Sequence, residues 1–109
     1  MTDRELLEAA AKAAGLTIEY WAQDDYPVVY DGNSSVGWDP LTFDSDALRL
    51  AVKLHIQVTP GTYNKDKYEA FNPAGVDEAC EFRSWLQNEF AATRRAIVRA
   101  AAALAKGQP

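Results

Sequence analysis

The sequence predicts a single α+β domain over residues 1–109, with helices packed on a small antiparallel-rich sheet in the order α-βββ-α-ββ-α and a long C-terminal helix. Three observations carry that class. Apolar residues recur at steps of three and four in three separate stretches, which is helical spacing; shorter stretches between them are β-rich or alternate with period two. Gly, Pro, Asn and Asp cluster where one pattern gives way to the next. With 109 residues, 48% of them hydrophobic, the chain has the size at which one core forms without disulfide or metal staples.

Taken in order, Thr2 followed by Glu5 is a capping box, and Leu6, Leu7, Ala10, Ala11 and Ala14 supply a helical stripe closed by Gly15. The first helix is therefore expected over 3–14. Leu16, Ile18 and Tyr20 alternate with Thr17, Glu19 and Trp21, giving a strand near 16–21. Tyr26–Tyr30 and Ser34–Trp38 face each other across Asp31-Gly32-Asn33, a hairpin whose turn residues tolerate positive φ. Pro27 has no amide donor, so it belongs on an edge strand or at a strand start. Asp39-Pro40 ends the sheet segment, and Asp44-Ser45-Asp46 supplies caps and negative charge for a second helix through Leu54. Its buried stripe is expected to use Leu48, Ala51, Val52 and His55, with Arg49 and Lys53 on the wet face. Ile56 with Val58, then Tyr68–Phe71, give two more strands separated by Pro60-Gly61 and Asn64-Lys65-Asp66.

Asp77-Glu78 has the acidic character of a helix start, and Ala79, Phe82, Leu86, Phe90, Ile97 and Leu104 step onward at helical spacing. Unbroken over 77–105, such a helix would be about 43 Å long and would overhang a domain of this size. Either it breaks near Gln87-Asn88, the favoured expectation, or its excess length packs on a partner subunit. The two halves echo each other as helix then strands, which reads as shared topology rather than a repeat.

Charge is distributed unevenly. Thr17–Asp46 contains Glu19, Asp24, Asp25, Asp31, Asp39, Asp44 and Asp46 with no Lys or Arg, and shares that window with Tyr20, Trp21, Tyr26, Tyr30, Trp38 and Phe43. The last twenty residues hold Arg94, Arg95, Arg99 and Lys106 with no acid. Carboxylates beside aromatic rings suit docking on a basic protein patch, the charges steering encounter and the rings supplying contact energy. The residues proposed for such a surface are Trp21, Asp24, Asp25, Tyr26, Tyr30, Asp31 and Trp38. The plainer alternative is that the rings fill the core and the acids cap turns. The arginines of the last helix argue little for nucleic acid, because the chain's net charge is −5 and bases near a helix C-terminus already complement its dipole. Salt bridges from this helix to the acidic segment are the better expectation.

Catalytic and metal signatures are missing from the pattern. Asp31, Asn33 and Ser35 begin like a calcium loop, but Val36 and Thr42 occupy the turn-glycine and bidentate-glutamate positions. Asp44 and Asp46 are ordinary helix-start acids. The single histidine, His55, reads as structural on the inner face of the second helix, and Cys80, flanked by Asp77, Glu78 and Glu81, reads as a small apolar filler whose thiolate those acids oppose. One cysteine allows no internal disulfide and fits a reducing cytoplasm. No apolar run approaches the roughly 20 residues needed to cross a bilayer, and Thr2-Asp3-Arg4-Glu5 is not the basic opening of a secretory leader. No enzyme activity, cofactor, metal or membrane association is expected.

Three stretches carry a resemblance: 3–15, reading DRELLEAAAKAAG; Trp38-Asp39-Pro40-Leu41 leading into 46–54, DALRLAVKL; and 91–101, AATRRAIVRAA. Together, in this order, they resemble a group of small proteins of tailed bacteriophages and prophages described as a phage α-β-α sandwich domain. The resemblance implies a sandwich-like α/β domain and an accessory phage protein in the cytoplasm of its host bacterium. It supplies no catalytic residues. At His55 the chain departs from similar sequences, which often read Gly there.

Two functions follow as expectations. The first is a non-enzymatic accessory protein docking on a host protein with a basic patch, such as a defence or transcription component, through the acidic aromatic surface. The alternative is a homodimeric regulatory or small-ligand-binding domain whose interface is the C-terminal helix, through Leu86, Phe90, Ile97 and Leu104.

Overall fold

In the computed structural model, which describes residues 2–21, 26–31, 34–60, 67–71, 78–82 and 88–106, the chain forms two α-βββ units followed by one helix. The first unit is α1 (Asp3–Ala13), β1 (Thr17–Trp21), β2 (Tyr26–Asp31) and β3 (Ser34–Gly37); the second is α2 (Asp44–Leu54), β4 (Gln57–Pro60), β5 (Lys67–Phe71) and β6 (Glu78–Phe82); α3 (Glu89–Lys106) closes the fold. Each unit's strands make a three-stranded antiparallel meander. The α+β class and the long last helix are as the sequence predicts, with one strand more: Glu78–Phe82 is β6, where helical spacing suggested the opening turns of the last helix. Its backbone pairs with β5, Ala79 opposite Ala70, and that ladder replaces the helical bonds the spacing implied. The helix then starts at Glu89, behind the break expected near Gln87-Asn88: Asn88 Oδ1 accepts from the amides of Phe90 (2.7 Å) and Ala91 (3.0 Å).

The caps of α1 form as read from sequence. Thr2 Oγ1 accepts the Glu5 amide at 3.2 Å, and the Glu5 carboxylate accepts from the Thr2 amide (3.2 Å) and hydroxyl (3.0 Å). At the other end Gly15 adopts φ +73°. Its amide bonds Lys12 O (3.1 Å) while the Leu16 amide bonds Ala11 O (2.8 Å), which satisfies carbonyls the last turn leaves open. The second unit repeats this geometry at a spacing of roughly 40 residues. His55 takes φ +55°, its amide bonds Val52 O (3.3 Å), and the Ile56 amide bonds Ala51 O (2.9 Å). The echo between the halves is thus a structural repeat, although few residues are shared.

Strand register follows the alternation. In sheet one, Thr17 stands opposite Tyr30 and Trp21 opposite Tyr26; Asp31 stands opposite Ser34, so the hairpin connection is confined to 32–33, outside the described residues. Pro27 is the second residue of the central strand, not of an edge, and its carbonyl accepts the Trp38 amide at 3.0 Å.

The two units share one core. Leu6, Leu7, Ala10, Ala11 and Ala14 of the first and Ala47, Leu50, Ala51 and Ile56 of the second meet Ala96, Ile97, Val98, Ala100, Ala101 and Ala102 of α3. The third helix packs most extensively on α1, then on β5, β6 and α2. Starting at Glu89, it stays within a molecule of radius of gyration 13.6 Å. Two arginines strap it down: Arg94 donates to Leu41 O (2.9 Å) and Asp44 Oδ1 (2.6 Å), and Arg95 to Asp3 Oδ1 (2.8 Å). The Arg94–Asp44 pair is a salt bridge from the last helix to the acidic segment, formed within the fold.

The repeat makes a paired test of backbone strain. Nothing lies within 4 Å of a Cβ built on Gly15, so Gly15→Ala carries only the conformational penalty, about 1 kcal/mol of destabilisation. His55→Gly removes the same penalty and raises stability by about 1 kcal/mol. Urea unfolding of both variants checks this, and a destabilised His55→Gly would show that the histidine ring holds the turn. The amide of Thr2, then its hydroxyl, holds the Glu5 carboxyl below the usual glutamate range. Because the folded value is the lower one, the contribution of this cap is complete above the unfolded value and is lost as pH falls through the folded one. NMR titration of Glu5 should therefore give a depressed midpoint that rises in Thr2→Ala; an ordinary midpoint in the parent protein would contradict the cap.

Candidate functional site

The acids of the Thr17–Asp46 window do not gather on one described surface. Asp39 is an internal acceptor: its Oδ1 takes the Leu41 amide (3.1 Å), its Oδ2 the Thr42 hydroxyl (2.7 Å), and its carbonyl the Thr42 and Phe43 amides. Asp46 Oδ2 takes the Asp39 amide at 3.0 Å. Asp44 pairs with Arg94, and Glu19 is exposed on β1. Trp38, proposed as a docking residue, is 7% exposed and belongs to the core, packed in one cluster with Val29, Leu50 and Ala14. Trp21, Tyr26, Tyr30 and Asp31 are placed by their backbones on β1 and β2, with Trp21 and Tyr26 paired at the far end from Asp31. Asp24 and Asp25 lie outside the described residues.

The proposed dimer stripe divides in the same way. Ile97 is 5% exposed inside the fold, since α3 turns that face onto α1 and α2; Leu104 is half-buried, and Leu86 lies outside the described residues. Among the three that are described, Phe90 stands out, 58% exposed at the start of α3. His55 is exposed at the end of α2 rather than turned inward, because the left-handed turn carries it off the helix face. Cys80 is placed only by its backbone, on β6.

The largest departure from expectation lies on α2. Its core face is Ala47, Leu50 and Ala51, while Leu48 and Val52, expected in the buried stripe, are 64% and 67% exposed. Two adjacent apolar stripes fit the sequence of this helix, and packing on α3 uses only one. The unused residues are one turn apart, so they form a row along the outer face. Leu48 then meets Phe90 of α3 and Val58 of β4, itself 41% exposed, around a groove of about 260 Å³ floored by Ala47, Ala51 and Ile97. Asp44 and Arg94 stand at its rim. On the other side of α2 lies a second cleft, between that helix, the end of α1 and sheet one, of about 280 Å³.

The chain matches no family model, no curated protein and no solved structure.

Function is therefore argued from geometry alone. Among the described residues no three His, Cys, Asp or Glu side chains converge to hold a metal ion, and no helix is long and apolar enough to cross a membrane. What the described surface offers is contact: an apolar groove with an acid and a half-buried arginine at its edge. Sequence reasoning missed this group because it placed Leu48 and Val52 in the buried stripe of the second helix and read Val58 only as part of a strand. One signal was available. In the first unit the positions equivalent to Leu48 and Val52 are Glu8 and Lys12, both exposed.

Burial separates the two ends of the old stripe quantitatively. Ile97→Ala should destabilise the protein by about 2–5 kcal/mol through lost packing and a residual cavity, whereas Phe90→Ala should change stability by no more than about 0.5 kcal/mol. Thermal unfolding of the two variants checks the contrast. Equal losses would place Phe90 in the core.

Proposed function

We propose that this protein is a non-enzymatic binding module that docks on a host protein, with Leu48, Val52, Val58 and Phe90 as its contact surface. One observation carries the reading: on structurally equivalent faces of two repeated helices, α1 bears Glu8 and Lys12 and α2 bears Leu48 and Val52, all four exposed. The fold accepts charge at these positions, so its own packing does not demand the apolar pair. Grouped exposed aliphatic and aromatic residues of this kind mark interaction surfaces in soluble proteins, with a central aromatic residue as anchor. The net charge of −5 favours a partner with a basic patch. The resemblance to phage proteins suggests the setting, an accessory protein in the cytoplasm of the host bacterium. The acidic aromatic segment keeps a role in steering encounter; Trp38 does not take part, being core.

A photo-crosslinking residue placed at Leu48 in cells of the host should yield one discrete adduct with a host protein, and the same residue at Glu8 should yield none. Giving α2 the charges of α1, through Leu48→Glu with Val52→Lys, should leave thermal stability within about 0.5 kcal/mol of the parent. With the crosslinker moved to Val58, that double variant should lose the adduct. Equal labelling from Glu8 and Leu48, or an adduct that survives the double variant, would sink the proposal; an adduct with a second copy of the chain would move the surface to the homodimer reading.

A further inference from the structure

The cleft on the opposite side of α2 has a different character from the docking groove. Leu16, Val29, Leu50 and Trp38 give it apolar walls, and Val36 and Gly37 of β3 form part of its lining. Along α2 it is bordered by Asp46, Arg49 and Lys53, successive positions on one helix face. Asp46 is engaged, accepting the Asp39 amide. Arg49 and Lys53, one turn apart and exposed, have no ion pair or hydrogen-bond partner among the described residues. Trp38 is 7% exposed, and its indole N–H has no acceptor among the described residues. Among the described residues no polar side-chain atom is sealed off without a partner, so this N–H is reached by solvent, and Trp38 itself lines the cleft. Such a donor bonds to water or to a ligand.

We propose that this cleft binds a small organic monoanion with an apolar body, a carboxylate or sulfonate on an aryl or medium-length alkyl group. Among the described lining residues Trp38 Nε1, Arg49 and Lys53 are donors without a protein acceptor, against the single carboxylate of Asp46, whose Oδ2 is held by the Asp39 amide; the ligand therefore brings acceptors. Two of the three are cations, so it brings negative charge. The apolar walls take its body. A volume of about 280 Å³ lies just under the roughly 300–1,000 Å³ of pockets for drug-sized molecules and sets the size as small. A cationic ligand is disfavoured by the two bases, and a large polyanion by the cleft's dimensions. The site is independent of the docking groove, which lies across α2.

The test uses a matched pair of probes: 8-anilinonaphthalene-1-sulfonate, and N-phenyl-1-naphthylamine, which has the same aromatic body without the sulfonate. In proton–nitrogen NMR spectra of the whole chain, the Trp38 indole signal should move saturably as the sulfonate is added. It is assigned by its loss in Trp38→Phe or, if that variant does not fold, by elimination with Trp21→Phe and Trp85→Phe. Arg49→Ala with Lys53→Ala, both exposed, should weaken the sulfonate about tenfold and change the neutral probe less than about twofold. Leu48→Ser with Phe90→Ser should leave both affinities unchanged. An unmoved Trp38 signal would overturn the proposal, as would a double-alanine variant that binds the sulfonate as tightly as the parent, or binding abolished by the groove variant instead.

Discussion

The architecture depends on one contact, the alanine-lined approach of α1 and α3. Ala10, Ala11 and Ala14 face a helix that carries Ala92, Ala96, Ala100, Ala101, Ala102 and Ala105 among its buried residues. Small side chains let two helices pack closely with little side-chain entropy lost on burial, and they give up little apolar area individually, so the contact must be long to be worth much. Its length is what α3 provides. With α1 held along it, the remaining sides of α3 receive α2, β5 and β6, and the two α-βββ units acquire a common core that neither meander forms alone. Arg95 to Asp3 and Arg94 to Leu41 and Asp44 then fix where along α3 the other two helices begin.

That arrangement determines what α2 can do. A helix in a two-layer packing buries one stripe, and α2 buries the narrow one of Ala47, Leu50 and Ala51. Since α3 also occupies α1, α2 meets it over a smaller area, and both flanks of α2 stay open. One flank carries Leu48 and Val52 beside Phe90; the other carries Arg49 and Lys53 above Trp38. The two candidate surfaces are consequences of the same packing choice, and their opposite chemistry comes from positions adjacent in sequence.

Much of the fold was legible because it rests on local chemistry. The capping box at Thr2 and Glu5, the left-handed turn at Gly15, the hairpin flanking Gly32-Asn33 and the stop before Glu89 each depend on residues within a few positions of one another. What was not legible depends on partners far along the chain. Glu78–Phe82 carries acids and apolar residues at a spacing that serves a helix or a strand, and the waiting edge of β5 decides between them. Leu48 and Val52 were assigned to the core because hydrophobic residues usually go there, and only the placement of α3 shows which of two apolar stripes is used. Trp38 was grouped with its acidic neighbours by sequence proximity; its side chain is buried in the core instead. The groove beside Leu48 was thus invisible as a candidate site, although its residues were visible as misfits once the repeat was known.

The repeat also explains the difference between Gly15 and His55. Both residues end a helix by the same pair of backbone bonds and both need positive φ, which costs a residue with a Cβ roughly 1–2 kcal/mol. The first unit meets that demand with glycine, and its helix carries the larger packing load on α3. The second unit accepts strain at His55 on a helix that packs less, carries Arg49 and Lys53 on one flank and exposes aliphatic side chains on the other. Local rules broken together in one element, while its twin obeys them, are hard to attribute to folding, because the twin shows that the architecture does not require them. The departures concentrate on the helix that borders both the groove and the cleft, which is where a requirement other than folding would leave them.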